Sequence, residues 1–547
     1  MSLQFITGNS GNGKTKYLFN TIVKEAKAHP RDNYLVIVPE QFTMQTQRQL
    51  VDLSENKAIM NIDVLSFKRL AYRVFDELGI TNLTVLEETG KNLVLRKLAA
   101  QEADKLGVIG RNLNRIGYIS EVKSLLSELV QYNISPEELG RYIASGRLSD
   151  TLSDKLKDVL VLYEAFEKFM QDKYITAEEI LNVLCNVADE SAILRNSVIA
   201  FDEFTGFTPI QNQLIKKLFV ISKKIYVTLT IDCREDIFKS RGMQELFDMP
   251  KRTVKSLTEM AAFYGIEVEE PIILDKNYRL AENEELSFME QQLFRKRRHS
   301  FEKAPKHIHI DCLRDPKQEL TKIARRINEL VRNENLRYRD IAIVTGDVNI
   351  YAGYVREIFD KYNIPYFIDA TQEILFHPFI EFIRSIPDIA AQNFSADAVF
   401  RFLRCGFTEL SDSEIDVLEN YVLACGVRGK SAWDKKWVRL PKHKAGYDIE
   451  LLNQSREYIM ELLKPVYQVF SDKKSTVKDY VLAIYKLIVL LDIPDKLEKK
   501  EQALLDAGDQ TASKEYGQIY KIVMQLFEKY VAVLGDECMD AEEFTQI

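Results

Sequence analysis

Residues 8–15 read GNSGNGKT, and their types and spacing suit one task, holding a phosphate. The pattern is Gly, four intervening residues, Gly, Lys and a hydroxyl residue. Gly8 and Gly13 let the backbone wrap an anion with its N–H groups turned inward. Asn9, Ser10, Gly11 and Asn12 complete the expected nucleotide-contacting loop. Lys14 is placed to reach the β- and γ-phosphates, and the Thr15 hydroxyl to ligate Mg²⁺. The helix expected to follow adds its N-terminal N–H groups and partial positive charge. A loop of this kind serves a motor, a static nucleotide clamp or a phosphotransferase, so other residues must choose among them.

Hydrolysis requires a second, acidic site on a neighbouring strand. The run SVIAFDEF at 197–204 supplies one by ending on Asp202 and Glu203. Asp202 is the expected Mg²⁺ partner, through water. Glu203 is expected to polarise the attacking water, which makes Lys14 and Glu203 the candidate catalytic residues.

These groups meet only if the fold brings them together. LQFIT (3–7) and YLVIV (34–38) suit short buried strands, and 14–29 suits a helix between them. A strand–loop–helix–strand unit favours a parallel sheet with right-handed crossovers. SVIAF (197–201) and IYVTLTI (225–231) add two strands, and the largely helical stretch of roughly 85–190 is an insertion. RDIAIVT (339–345), a helix near 350–362 and YNIPYFID (362–369) form a second α/β signature before the chain turns helical again. The polar segment 503–517 suits a mobile connection. The fold class is therefore α/β, with P-loop (RecA-like) parallel sheets and large helical insertions. The closing residues ECMDAEEFTQI have no terminating character, so the chain is expected to be the N-terminal portion of a longer protein.

A length of 547 residues implies three or four domains. Hydrophobic residues at 46% and charged residues at 29% are globular proportions. A net charge of −8 excludes a uniformly basic nucleic-acid binder, but not a large enzyme with a locally basic channel. No run of 18 apolar residues occurs, so no membrane span is expected. The N-terminus has no leader pattern, which points to the cytoplasm. The six cysteines contain no CxxC pair and are expected to be reduced thiols. With six histidines and no HExxH, no protein-built metal site is legible.

The chain continues past Asp202 as DEFTGFTPIQ, which resembles motif II of superfamily-1A UvrD-like helicases, close to DEFQDTxxxQ. Pro39, Glu40, Gln41 and Phe42 follow the second strand, where those helicases carry a DNA-contacting motif. VLSFKRLAYRVF (64–75) resembles their next motif, with Ser66–Phe67 replacing Thr–Phe. VPEQFTMQTQRQL, FDEFTGFTPIQ and IPYFIDATQEILFHPFIEFIRS are similar, more narrowly, to the AddB-type family of bacterial AddAB helicase–nucleases. That resemblance spans essentially the whole chain.

The resemblance implies superfamily-1 helicase architecture: motor domain 1A from 1–85 and 190–275, insertion 1B from 86–189, the start of domain 2A from 276–375, and a mainly helical 2B from 376–547. It implies ATP and Mg²⁺ as cofactors, and an AddA-type helicase–nuclease subunit as heterodimer partner. Double-stranded DNA ends and single-stranded DNA are the implied substrates, in double-strand-break processing for homologous recombination with recognition of a hotspot sequence. A nuclease with a [4Fe–4S] cluster is implied only beyond the residues present. Gln41, Phe42, Ser66 and Phe67 are the implied DNA contacts.

Some features depart from the helicase pattern. With Met1 so close to the phosphate loop, the adenine-reading segment that those helicases carry upstream of it is not expected here. Thr205 and Gly206 replace the Gln–Asp after DEF, and DCREDIF (232–238) stands where GDxxQ is expected. Nucleotide binding is therefore expected to exceed hydrolysis. LDKNYRLAENEEL (274–286) resembles the helicase NYR motif, which gives Arg279 a γ-phosphate contact; the alternative is an arginine opening a surface helix. The basic segment 294–310 either tracks phosphates or is a solvated linker. Trp433 and Trp437, among the cations of 431–444, either stack bases as DNA contacts or form a packed helix face. Two other functions compete: a non-enzymatic DNA-recognition module clamped by nucleotide, and a small-molecule phosphotransferase. The 187-residue separation of Thr15 and Asp202, and the motif II-like run, disfavour the latter.

Overall fold

The structure is a computed structural model that describes residues 1–547 except 81–84, 87, 109–116, 146–147, 171–173, 177–178, 296–298, 370–373, 442–446 and 547. The chain forms two compact units: Met1–Ser300 with Val469–Ala483 and Val523–Ile547, and Phe301–Gln468 with Ile484–Ile522.

In the first unit, β1 (Ser2–Gly8), β2 (Tyr34–Ile37) and β3 (Ile62–Leu65) precede a helical insertion. Short strands β4 (Val85–Leu86) and β5 (Ile175–Thr176) pair in parallel near the two ends of that insertion. β6 (Val198–Phe201), β7 (Lys224–Thr230), β8 (Glu267–Val268) and β9 (Ile272–Leu274) complete the main sheet. Its order is β3-β2-β6-β7-β1-β8, with β9 also on β1, and every ladder is parallel.

The strands are almost continuously apolar because both faces of the sheet are covered. Alternation distributes the side chains between two cores. Leu3, Phe5, Leu35, Ile37, Ile199 and Phe201 enter one, and Ile6, Tyr34, Val36, Val198 and Ala200 the other. Helices α1 (Lys14–Ala28) and α2 (Thr43–Leu53) cover the second face through Leu18, Phe19, Ile22 and Leu50. Helix α3 (Phe67–Leu78) and the helices Ile180–Val187, Pro209–Ile221 and Asp248–Phe263 cover the first. Each fully buried Leu, Ile or Phe contributes roughly 1.5–3 kcal/mol, so the sheet is a rigid platform for the loops at its carboxyl edge.

Strand order places the chemistry. β1 and β2 are joined by α1 yet stand apart, with β6 and β7 between them. The loops after β1 and β6 therefore leave the same edge on either side of β7. Crevices at the carboxyl ends of parallel strands are where α/β sheets bind ligands.

The two units group the chain more coarsely than the four domains expected from sequence. Residues 276–300 belong with the first unit, as do the later segments 469–483 and 523–547. Lys97 of the insertion pairs with Glu537 at 2.9 Å. In the second unit, helices Pro316–Asn333 and Val348–Lys361 share a small core of Leu320, Ala324, Ile327, Ile358 and Phe359. The strands expected at 339–345 and 362–369 do not form a second parallel sheet among the described residues. A strand exists through its ladder partners. Without one, Val344 and Phe367 stand 93% and 88% exposed despite their apolar character. The segment 503–517 is not a mobile connection either: helices Ile493–Asp506 and Gln510–Leu534 occupy nearly all of it. Asp506, Gln510, Thr511 and Lys514 are exposed on these helices, a pattern that composition alone does not separate from a loop.

Candidate nucleotide-binding site

β1 ends at Gly8 and α1 begins at Lys14, so five residues make the whole loop between them. Gly13, at the N-cap of α1, has φ 81°, a left-handed conformation that favours glycine. No side chain caps this helix and its first turn carries no acidic residue. Its first N–H groups and positive end are thus left for an anion. By contrast, Ser66 caps α3, and Thr208 with Gln211 forms a capping box on helix Pro209–Ile221.

Lys14 Nζ donates to Gly8 O at 3.1 Å and Asn9 O at 3.0 Å, folding the ammonium back over the loop. Burial pushes the Lys14 pKa down, the nearby Glu203 and Asp202 carboxylates oppose that shift, and Arg279 adds to it. An anion in the loop would supply the compensating charge.

Thr15 Oγ1 lies 3.3 Å from both Asp202 Oδ1 and Glu203 Oε1. One hydroxyl proton cannot serve two acceptors fully at that distance. Asp202 is 1% exposed. Its Oδ1 accepts from Thr228 Oγ1 on β7, and its Oδ2 is buried without a partner. Burial pushes the Asp202 carboxyl up, against the hydrogen bond from Thr228. A buried carboxylate oxygen without a donor is costly, and a cation at that point relieves the cost. Glu203 sits at φ 64°, an uncommon conformation for a residue with a Cβ. Such backbone strain is of order 1–3 kcal/mol and clusters at functional sites.

A cavity of about 630 Å³ joins these groups. Its walls include Lys14, Thr15, Asp202, Glu203, Thr228 and Arg279, together with Phe42, Gln45 and Gln49 at one side. Gly8, Asn9 and Asn12 hold the loop's frame: Asn12 Nδ2 donates to Leu274 O at 2.6 Å, and Asn9 Oδ1 accepts from Cys233 N at 2.9 Å. Among the described residues, no group of three or more His, Cys, Asp or Glu could hold a metal alone. A Mg²⁺ here would take Thr15 and Asp202 from the protein and its remaining ligands from phosphate and water, the usual division for that ion. The residues present therefore fit a Mg²⁺–nucleotide.

Beside the loop, Asp232 accepts from Arg234 Nη2 at 2.6 Å and Arg295 Nε at 2.9 Å. Burial opposes its ionisation, but the two guanidinium groups outweigh that and hold its carboxyl at about 2. This depressed pKa contributes stability that is complete above the unfolded value of roughly 3.9 and is lost as pH falls through about 2. Arg295→Ala is expected to cost about 1–3 kcal/mol at pH 7, because among the described residues the buried carboxylate then keeps Arg234 alone. Urea unfolding at pH 7 and pH 3 checks this, with a smaller deficit expected at pH 3. Arg295 thus belongs to a packed ion cluster, while 296–298 of the same basic segment lie outside the described residues.

The expected DNA contacts divide. Gln41 is exposed in the turn Glu40–Phe42, and Phe42 faces the cavity. Ser66 is buried as the cap of α3. Phe67 is 7% exposed, with its ring 5.8 Å from Phe201 and 5.5 Å from Phe204. Each of these two side chains satisfies a local capping or packing requirement. Trp433 and Trp437, for which base stacking and a packed helix face were the two alternatives, are 0% and 6% exposed. Their rings stand 5.3 Å apart, and Arg456 and Asn453 bind the carbonyls of Trp433 and Trp437 at 2.9 Å each. They are core, not stacking platforms; Lys442 and Lys444 of that segment lie outside the described residues. Arg279 lies at the cavity rather than opening a helix, since the next helix starts at Glu284.

Sequence reasoning missed Thr228 and Asn277. Thr228 was detectable as one of two threonines in a largely apolar strand. Asn277 stands in the NYR-like run, but its bond to Ser10 O, 267 positions away, had no signal in the sequence.

Among the described residues, no helix is long and apolar enough to cross a membrane. A family model described as ADDB, N-terminal, matches residues 5–290. The B subunit of the ATP-dependent helicase/deoxyribonuclease of Lachnoclostridium phytofermentans is 38% identical over 557 residues, covering 100% of this chain and 48% of the relative. The proteins of that name from Caldanaerobacter subterraneus and Clostridium acetobutylicum are 32% and 31% identical, each over 559 residues, with the same coverage of 100% and 48%. The chain spans about half the length of the curated relatives it matches.

Proposed function

Because this chain belongs to the ADDB N-terminal family, we propose that it is the ATP- and DNA-binding part of the AddB-type subunit of a heterodimeric helicase–nuclease. The architecture proposed for it is that of a superfamily-1 helicase, with the P-loop domain in the first unit. Its partner on this reading is an AddA-type subunit, and the complex processes DNA double-strand ends in the cytoplasm for homologous recombination, with the AddB-type subunit reading a hotspot sequence. The [4Fe–4S] nuclease is not assigned to any residue of this chain.

The observation that carries the nucleotide reading is the meeting of Thr15 and Asp202 beside an uncapped helix N-terminus. Bound Mg²⁺–ATP supplies the phosphoanhydride and the cation that neutralises it. The protein supplies the rest. Lys14 would turn from the loop carbonyls to the phosphates, and the Thr15 hydroxyl with the Asp202 carboxylate would hold the metal. Glu203 faces the same cavity and is the group to polarise a water there.

One feature favours clamping over turnover. Thr205, which stands where the helicase pattern has Gln, accepts through its carbonyl from Thr253 Oγ1 at 3.0 Å. Its short side chain lacks the carboxamide that would bridge nucleotide and DNA. ATP is expected to bind tightly and turn over slowly in this chain.

Titration with a fluorescent ATP analogue, with and without Mg²⁺, tests the reading alongside ATP turnover with single-stranded DNA. Mg²⁺-dependent binding that Asp202→Asn reduces by roughly tenfold or more is expected. Equal affinity with and without Mg²⁺ would count against the site. Rapid DNA-stimulated hydrolysis would overturn the clamp.

A further inference from the structure

Arg279 stands at the cavity while its backbone is fastened to the phosphate loop. β9 runs beside β1 and delivers the chain at Leu274, opposite Gly8. Asn277 Nδ2 then donates to Ser10 O at 3.0 Å. Tyr278 N donates to Gly11 O at 3.0 Å, and Arg279 N to the same carbonyl at 3.4 Å. Asn277 Oδ1 accepts from Leu280 N at 2.9 Å, which closes a turn around Arg279. The fit is close. A Cβ at Gly11 would stand 2.8 Å from Arg279 Cβ and 2.9 Å from Asn277 Oδ1. Gly11 is neither of the two glycines that the phosphate-binding pattern requires, yet it has φ 86° and no room for a side chain.

Building on the nucleotide-binding reading, we propose that Asn277 and Gly11 are positioning residues that dock Arg279 on the phosphate loop before any nucleotide arrives. Loop and arginine then form one preassembled anion clamp. Every bond in this arrangement lies within the first unit, so Arg279 is held with the loop and does not depend on another part of the chain to deliver it. The following segment reinforces the docking: Asn9 Nδ2 donates to Glu290 Oε1 at 2.9 Å, and Arg295 is tied to Asp232. An arginine on a free segment would lose its conformational freedom on binding, and docking it in advance removes that cost. The effect is on affinity: the clamp holds the anion without a prior closing movement.

The test is equilibrium titration of the full chain with a fluorescent ATP analogue and Mg²⁺. Asn277→Ala is expected to weaken binding roughly fivefold to tenfold, the worth of one or two net hydrogen bonds. In an Arg279→Ala background the same substitution is expected to change affinity less than about twofold, since residues acting through one another are not additive. Gly11→Ala, the more strained variant, is expected to act in the same direction. Independent, additive losses from Asn277 and Arg279, or wild-type affinity in Asn277→Ala, would overturn the proposal. Lys14→Ala separates the two levels. If it abolishes binding while Asn277→Ala does not weaken it, only the docking fails. If the wild-type chain binds no nucleotide, the nucleotide reading fails and takes the docking with it.

Discussion

Lys14→Ala is expected to weaken ATP binding by on the order of a hundredfold, about 3 kcal/mol. The size follows from what the side chain would hold. Hydrogen bonds to charged groups contribute about 1.5–3 kcal/mol each, and Lys14, once turned from the loop carbonyls to a phosphate, would offer up to three donors. Lys14 is partly desolvated even without an anion, and burial lowers its pKa. The ammonium therefore gains more from a phosphate than a solvated lysine would. The substitution also removes the two bonds to Gly8 O and Asn9 O, so a small loss of stability is expected in the free protein. Isothermal titration with ATP and Mg²⁺, with a thermal melt of each protein, separates the two effects. Unchanged affinity would remove the phosphate role from residues 8–15.

Trp433→Ala is expected to destabilise the second unit by about 3–5 kcal/mol, the usual cost of truncating a core tryptophan. Trp433 is fully buried, with Phe394 at 6.5 Å and Phe400 at 6.4 Å in the same cluster. Its removal leaves a cavity that Arg456, itself buried and bound to Trp433 O, cannot fill without losing that bond. The two tryptophans of the chain both lie in the second unit. Their fluorescence reports its unfolding, and Trp437 remains as the probe in the variant. A urea titration followed at tryptophan wavelengths is the measurement. The same signal examines the stacking alternative. Strong quenching of folded wild-type fluorescence by single-stranded DNA would mean that the rings reach bases, contrary to their burial.

The first unit was legible to the extent that its signals are local. LQFIT, YLVIV, SVIAF and IYVTLTI each announce a strand because a sheet covered on both faces demands continuous apolar runs. The same logic misled in the second unit, where RDIAIVT has strand composition but no ladder partner among the described residues. The pairing of Trp433 with Trp437 was legible as a packed face or a stacking surface, and nothing in the spacing distinguished them. Burial decides that question, and burial is a property of neighbours such as Phe394 and Tyr421. Phe67 followed the same course: an aromatic at a helix start reads alike whether it meets a base or, as here, Phe201.

By itself the sequence determined the form of the loop at residues 8–15, because glycine placement, lysine and threonine specify a local backbone and its donors within one turn of chain. It also determined that an acidic pair ends an apolar strand at Asp202 and Glu203. Only the tertiary structure decided that these groups converge, since Thr15 and Asp202 are 187 residues apart and meet through strand order. It alone placed Thr228 on the Asp202 carboxylate and Asn277 on Ser10 O, 267 residues away. The physical reason is that side-chain type is written residue by residue. Which buried oxygen lacks a partner, and which arginine is already docked, depends on how separate strands and loops share one edge of a sheet.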